Sequence, residues 1–375
     1  MKHLLQISFQ KVGVKLLQLG LIAMAAWLSV SCGDAMQSSQ SPILSSYLVQ
    51  TQDRAALDVI AREYEITKNN RDGSYEVVLP KDQVDKLLKL DPNAIEMETD
   101  IRDVFKRLKE KDPNYFAGYH DYPAVEQFLK DAVSKYPALA SFSVYGKTKQ
   151  GRPLYVLKIS DNVTTDESEP ELMITAATHG NEIAGTETIL TFVTELLEGY
   201  GRDARLTKMV NDHEIYFIPV VNADGFVSGE RWDNDVDPNR IYPYPNNPNL
   251  KPINSIEPLV AFFHTKNFVG SMDLHTYSQL IMYPWAYTTK NIPAADEKIF
   301  KNLCSSMAEI NKYETGQVSQ VLYVAQGSSA DYYYWKNHTM ALAVELTTTH
   351  TPSSEQLPSI FDEAREMAWR FIEHF

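Results

Sequence analysis

The sequence predicts an α/β protein with a mixed, largely buried sheet flanked by helices, preceded by a small α+β domain of ferredoxin-like type. Three observations carry this expectation. From residue 119 onward, short apolar runs such as Leu172–Ala177 and Ile215–Val221 alternate with long amphipathic stretches, as strands buried between helices do. Residues 44–100 instead follow a compact strand–helix–strand–strand–helix–strand order. With 375 residues, 44% of them hydrophobic and 22% charged, the chain can bury one large core and one small one.

At the amino terminus, Lys2, Lys11 and Lys15 precede a mostly apolar run from Leu16 to Val30, which closes on Ser31 and Cys32. This is the form of an export leader over residues 1–31, too short for a typical membrane span. The stretch Leu28-Ser29-Val30-Ser31-Cys32 is similar to a bacterial lipobox, with the leucine one place early. Two outcomes stay open: acylation of Cys32 as a membrane anchor, or ordinary cleavage after Ser31. The expectation is a lipoprotein exported from a bacterial cell, at the periplasmic or outer surface. Acylation would leave Cys304 without a partner in the chain, which has two cysteines in all. Residues 32–43, with the Ser/Gln tract ending at Pro42, read as a tether. The formal net charge is -14, and loss of the leader with its three lysines and no acids makes it -17. A nucleic-acid partner is disfavoured, because polyphosphate needs a concentrated basic surface.

Within residues 44–100, strands are expected at Tyr47–Gln50, Glu65–Lys68, Tyr75–Leu79 and Ala94–Met97, with helices at Asp53–Tyr64, capped by Asp53, and at Pro80–Leu90. Residues 101–118 connect this domain to the next. Asp100–Lys111 has a helical pattern and a basic cluster at Lys106, Arg107, Lys109 and Lys111, read either as a solvated connecting helix or as a protease-sensitive site. The domain at 119–375 opens with an amphipathic helix at Ala124–Lys135 and a hairpin turning at Gln150-Gly151-Arg152-Pro153. A helical run at Ile183–Leu197, strands ending near His275 and Glu345, and a closing helix at Ile360–His374 complete it.

Chemistry concentrates at the expected strand ends, where open α/β sheets bind ligands. His179-Gly180-Asn181-Glu182 directly follows the run Leu172–Ala177, so an imidazole and a carboxylate three apart can face one zinc ion. His275 ends another apolar run and offers a third ligand, leaving one position open for water. Taken alone, His179 fits a histidine at a helix start equally well, and a core histidine bonded to backbone is the alternative for His275. Glu345 interrupts the apolar run Met340–Val344, and a carboxylate there is costly unless it is paired or lies near a metal. It is the candidate for taking a proton and passing it to a leaving group.

Together these residues resemble the zinc carboxypeptidases of the carboxypeptidase A and B type, from about Tyr119 to Phe375. The HGNE pair at 179–182 and Asp273-Leu274-His275-Thr276-Tyr277-Ser278-Gln279-Leu280, followed by Tyr283-Pro284, are similar to the family's zinc-binding segments. The resemblance implies that Asn239 and Arg240, in Asp237-Pro238-Asn239-Arg240, grip the terminal carboxylate, for which a planar guanidinium is suited. It implies that Tyr323 closes over the substrate, Arg231 stabilises the developing oxyanion, and Asp237 fixes the first histidine's tautomer. Ala330 matches the position whose charge sets specificity in the family. With Met282, Ala286, Ala325, Ser328 and Ala343 as further expected neighbours, the pocket carries no charge, which implies removal of apolar or aromatic terminal residues. The domain at 44–100 resembles the family's prodomain.

The expected activity is thus a zinc metallocarboxypeptidase acting on peptides with a free carboxyl end. Two other readings are kept: a peptidoglycan stem-peptide amidase on the same scaffold, and a catalytically silent peptide-binding lipoprotein. The sequence departs from the animal digestive enzymes in the short spacing from His179 to His275, in the absence of loop cysteines, and in Ile241-Tyr242 after the Asn-Arg pair.

Overall fold

The amino-terminal sheet forms where apolar residues recur at the strand period. The computed structural model describes residues 43–69, 73–101 and 104–375; the expected leader, Cys32 and the tether up to Pro42 lie outside them. The elements here are β1 (Leu44–Val49), α1 (Arg54–Glu63), β2 (Glu65–Asn69), β3 (Tyr75–Pro80), α2 (Val84–Leu90) and β4 (Ile95–Glu98). The strands pair antiparallel in the order β2-β3-β1-β4, the ferredoxin-like arrangement. Tyr47 and Val49 of β1, Val77 and Leu79 of β3, Ile60 of α1 and Leu87 of α2 close the core between sheet and helices. Asp53 caps α1 as expected, accepting from Ala55 N at 2.9 Å.

The connecting helix α3 spans Val104–Lys111 among the described residues, within the expected pattern. Arg107 of the basic cluster donates to Asp100 O at 2.9 Å and to Glu98, which ties α3 to the end of β4.

The second domain runs α4 (Tyr122–Lys135), β5 (Ala140–Lys147), β6 (Pro153–Ile159), β7 (Glu171–Ala176), α5 (Ile183–Gly199), α6 (Ala204–Asp212), β8 (Glu214–Ile218), α7 (Ala223–Ser228) and α8 (Ile256–Phe263). It continues with β9 (Phe268–Thr276), β10 (Leu280–Tyr283), α9 (Ala294–Met307), β11 (Glu314–Gln317), α10 (Val318–Val321), α11 (Ser329–Asn337), β12 (Met340–Leu346) and α12 (Leu357–Ile372). Both α4 and α12 begin earlier than expected, with Pro123 and Pro358 inside their first turns. A proline there lacks only an N–H that would have no helical partner, so it starts a helix rather than breaking one. β8 stops at Ile218, before Pro219, which cannot continue the ladder.

The eight strands are ordered β11-β10-β12-β9-β7-β8-β6-β5. The four central ones, β12, β9, β7 and β8, are mutually parallel, and antiparallel pairs β10–β12, β6–β8 and β5–β6 extend the sheet on both sides. One face carries α5 and α12, whose Phe192, Leu196, Met367 and Phe371 meet Leu274, Ile281 and Val344 from the sheet. The other face carries α8 and α11 over Met173, Phe268 and Ala341. Each such fully buried aliphatic or aromatic side chain contributes roughly 1.5–3 kcal/mol. The chain passes from β7 to β8 on one side and then returns to β9 on the other, so connections diverge at the carboxyl ends of β7 and β9. That crevice is where an α/β sheet binds ligands.

Candidate active site

Parallel pairing decides which side chains meet at this crevice. Glu345 on β12 lies opposite His275 on β9, and Leu280 on β10 lies opposite Glu345, giving one row across three strands. One row deeper, on the same face, stand Met282, Ala343 and Asp273. The polar row and the deeper, mostly apolar row therefore follow from register.

His179 and Glu182 come from the turn between β7 and α5. Gly180 lets this turn approach the backbone of α7: a Cβ there would lie 2.1 Å from Gly225 C and 2.3 Å from Phe226 N, so only glycine fits. All three expected ligands are buried and converge. His179 Nδ1 is 2.8 Å from Glu182 Oε1, His275 Nδ1 is 2.8 Å from Glu182 Oε2, and the two Nδ1 atoms are 3.1 Å apart. The outer nitrogens each face a carboxylate: His179 Nε2 lies 3.2 Å from Asp237 Oδ1, and His275 Nε2 lies 3.1 Å from Asp273 Oδ2. With the protons on Nε2, both Nδ1 lone pairs and the Glu182 carboxylate point into one space, a donor set of two imidazoles and one carboxylate that suits zinc. Burial alone would raise the Asp237 carboxyl, but Arg231, Arg240 and His179 hold it well below the usual carboxylate range.

Asp273 was missed by the sequence reading, although the strand period shows it: two residues before His275, it shares that residue's face. Its carboxylate also accepts from Thr175 Oγ1 at 2.8 Å, Thr178 Oγ1 at 3.0 Å and Ser329 Oγ at 3.2 Å.

Asp237 also caps the short turn Pro238–Arg240, accepting from Asn239 N at 2.8 Å. Asn239 is fixed in turn, its Oδ1 accepting from Ser329 N at 2.9 Å. Arg240 donates through Nη2 to the Tyr323 hydroxyl at 2.9 Å, so the expected carboxylate grip and the expected lid meet. Gly327, at φ +78°, lies under Arg240; a Cβ there would come within 2.4 Å of Arg240 O. Arg231 Nη1 reaches His179 Nδ1 at 3.0 Å and Glu182 Oε1 at 3.2 Å, while Nη2 donates to Asp237 Oδ2 at 3.0 Å.

His179, Glu182, His275, Arg231, Arg240 and Tyr323 line one cavity of about 40 Å³, with Glu345 and Ala330 in its wall. Its apolar side is Met282, Val318, Leu322, Ala325, Ala330 and Ala343. Ala286, expected among them, is buried behind the wall, where its backbone N donates to Asp331 Oδ1 at 2.7 Å. Glu345 Oε2 is shut from solvent and has no hydrogen-bond partner among the described residues. Burial pushes the Glu345 carboxyl up to about 8, against the opposing pull of His275.

Residues 125–367 match the sequence profile of the zinc carboxypeptidases. A zinc carboxypeptidase of Saccharothrix mutabilis subsp. capreolus is 27% identical over 60% of this chain, which spans 61% of that relative's length. Human carboxypeptidase A1 is 27% identical over 76% of this chain and 80% of its own. In fold, the chain is similar to the carboxypeptidase A of Helicoverpa armigera, with a TM-score of 0.73 at 15% identity over 89% of this chain and 97% of the other. It is also similar to thrombin-activatable fibrinolysis inhibitor, with a TM-score of 0.69 at 18% identity over 89% and 98%.

Proposed function

The chain belongs to the zinc carboxypeptidase family, and on that premise we propose that it removes the last residue of peptides with a free carboxyl end, preferring apolar or aromatic residues. The observation that carries this reading is the single cavity that joins the His179, Glu182 and His275 donor set to Arg240, Glu345 and an uncharged apolar wall.

His179, Glu182 and His275 would hold zinc, which when bound would supply Lewis acidity at the site. The protein's own groups do the rest. Arg240 and Asn239 bind the terminal carboxylate, and Tyr323 covers it. Arg231 donates to the oxygen that gains charge in the transition state. Glu345, otherwise without a partner at Oε2, takes the proton from the attacking water and delivers it to the leaving amine. The terminal side chain enters between Met282, Ala330 and Ala343, where no charge meets it. Export remains part of the proposal and rests on the leader pattern.

A peptide series differing in the last residue tests this. Peptides ending in Phe or Leu should be cleaved with kcat/KM at least about tenfold above those ending in Lys or Glu. Equal rates across the series, or fastest removal of a charged residue, would refute the apolar preference.

Asp273 is proposed as a positioning residue for His275. Asp273→Asn presents an amide where the Nε2 proton needs an acceptor, which favours the wrong tautomer. Zinc affinity, measured by competition with a chelator, should fall by roughly 10–100-fold. A folded variant that retains zinc within threefold of wild type would remove Asp273 from this role.

A further inference from the structure

Asp331 carries a fully buried carboxyl that the proposed reaction does not use. It stands in the first turn of α11, next to Ala330 in the pocket wall. Its Oδ1 accepts from Ala286 N at 2.7 Å and its Oδ2 from Tyr287 N at 2.8 Å. Burial pushes the carboxyl up to about 7, against the opposing pull of these two N–H groups. A carboxyl kept in the interior at that cost, gripping one stretch of backbone with both oxygens, directs attention to what the stretch supports.

That stretch, residues 285–288, lies behind the apolar side of the pocket. Ala286 O accepts from Ala325 N at 2.9 Å, Trp285 O accepts from Ser319 N at 3.2 Å, and Thr288 O accepts from Ser319 Oγ at 2.7 Å. Ala286 packs in one cluster with Met282, Val318, Leu322 and Ala325. Residues 285–288 therefore brace the wall made by Val318, Leu322 and Ala325. The start of α11 is tied to the catalytic groups as well. Ser329 N donates to Asn239 Oδ1 at 2.9 Å, and Ser329 Oγ donates to Asp273 Oδ2 at 3.2 Å. Asp331 joins the brace to this fixed turn.

We infer that Asp331 is a positioning residue that sets the separation between Ala330 and the wall of Val318, Leu322 and Ala325, and thereby the preference for large apolar terminal side chains. The inference rests on the carboxypeptidase reading above, which places the terminal side chain in this pocket. A braced wall keeps close contact with a side chain long enough to span the pocket, and dispersion contacts weaken steeply with a small gap. With the clamp broken, the brace moves outward and those contacts are lost. A terminal methyl group is too short to touch both walls and loses little. Asp331→Asn isolates the clamp, because the side chain keeps its volume while a single amide oxygen cannot accept both N–H groups.

The test compares two blocked peptides that differ only in ending in Phe or Ala, on the zinc-loaded full chain. Wild type should favour the Phe peptide by at least about tenfold in kcat/KM. In Asp331→Asn that ratio should fall about tenfold, through a higher KM for the Phe peptide. The kcat for both peptides and KM for the Ala peptide should stay within about threefold of wild type. A wild-type ratio retained in the variant overturns the inference, also where both rates fall together, since a loss shared by the two peptides reports stability and not the pocket. Thermal melting and metal content are checked on the same samples. If Asp331→Asn does not fold, Asp331→Ser, which leaves one acceptor, is read in the same way; if neither folds, Asp331 serves the fold alone and the inference is overturned. If wild type cleaves both peptides without favouring Phe, the apolar preference fails, while a changed ratio in the variant still supports the inference and an unchanged one overturns it. If wild type cleaves neither, the carboxypeptidase reading fails. Binding of the two peptides, fluorescently labelled, then decides: weaker binding of the Phe peptide alone by the variant supports the inference, and equal or equally weakened binding of both overturns it.

Discussion

Glu345→Gln is expected to lower kcat by about 10²–10⁴-fold while zinc content and thermal stability stay near those of wild type. The size follows from what the side chain is asked to do. Register sets Glu345 beside His275, and its Oε2 is buried with no partner among the described residues, so no other protein group among them engages that oxygen's lone pairs. Burial raises the proton affinity of the carboxyl, which suits a group that must hold a proton between two transfers. Glutamine keeps the volume and can still hydrogen-bond a water, but it cannot accept and release the proton. Single-turnover kinetics on a peptide ending in Phe, with metal analysis of the same sample, separate loss of chemistry from loss of zinc. A rate within tenfold of wild type would show that the proton leaves by another route. A variant that has lost its metal would place Glu345 among the groups that hold zinc.

Arg240→Ala should act on binding of the chain end. The guanidinium is held ready by Tyr323 and by the turn that Asp237 caps. Removing one partner of a charge-assisted pair in a partly buried site costs about 2–5 kcal/mol, or roughly 30- to several-thousand-fold in kcat/KM. The discriminating comparison uses peptides with free and amidated ends. Wild type should prefer the free end strongly. The variant should lose that preference, because the amidated peptide never offered Arg240 a charge. If the variant still favours the free end by the wild-type factor, another cation reads the carboxylate, and Arg231, in the same cavity, is the next residue to replace.

How much of this was legible in the sequence differs from residue to residue. His179 and Glu182 lie three apart in one turn, and Asn239 and Arg240 are adjacent, so local motifs were enough to find them. The strand that ends at His275 could be read from its apolar run. Asp273 was in plain view on the same strand face, but a buried acid next to a histidine has no local signature that separates a positioning group from a satisfied core residue. Ala286 was expected in the pocket wall and instead lies behind it, because its distance from the cavity depends on how the segment after β10 folds against Asp331 of α11. The early starts of α4 and α12 were lost to prolines that a purely sequential reading takes as interruptions.

By itself the sequence determined the order of strands and helices, the donor types available for a metal, and the absence of charge at Ala330, since each depends on a residue's identity or its near neighbours. Only the tertiary structure decided which of these residues meet. The pairing of Glu345 with His275 and the reach of Tyr323 to Arg240 across 83 positions both depend on strand register and packing. Such contacts are set by the burial of whole faces against one another, and a face shifted by one residue would leave every local motif intact while separating the groups that must act together.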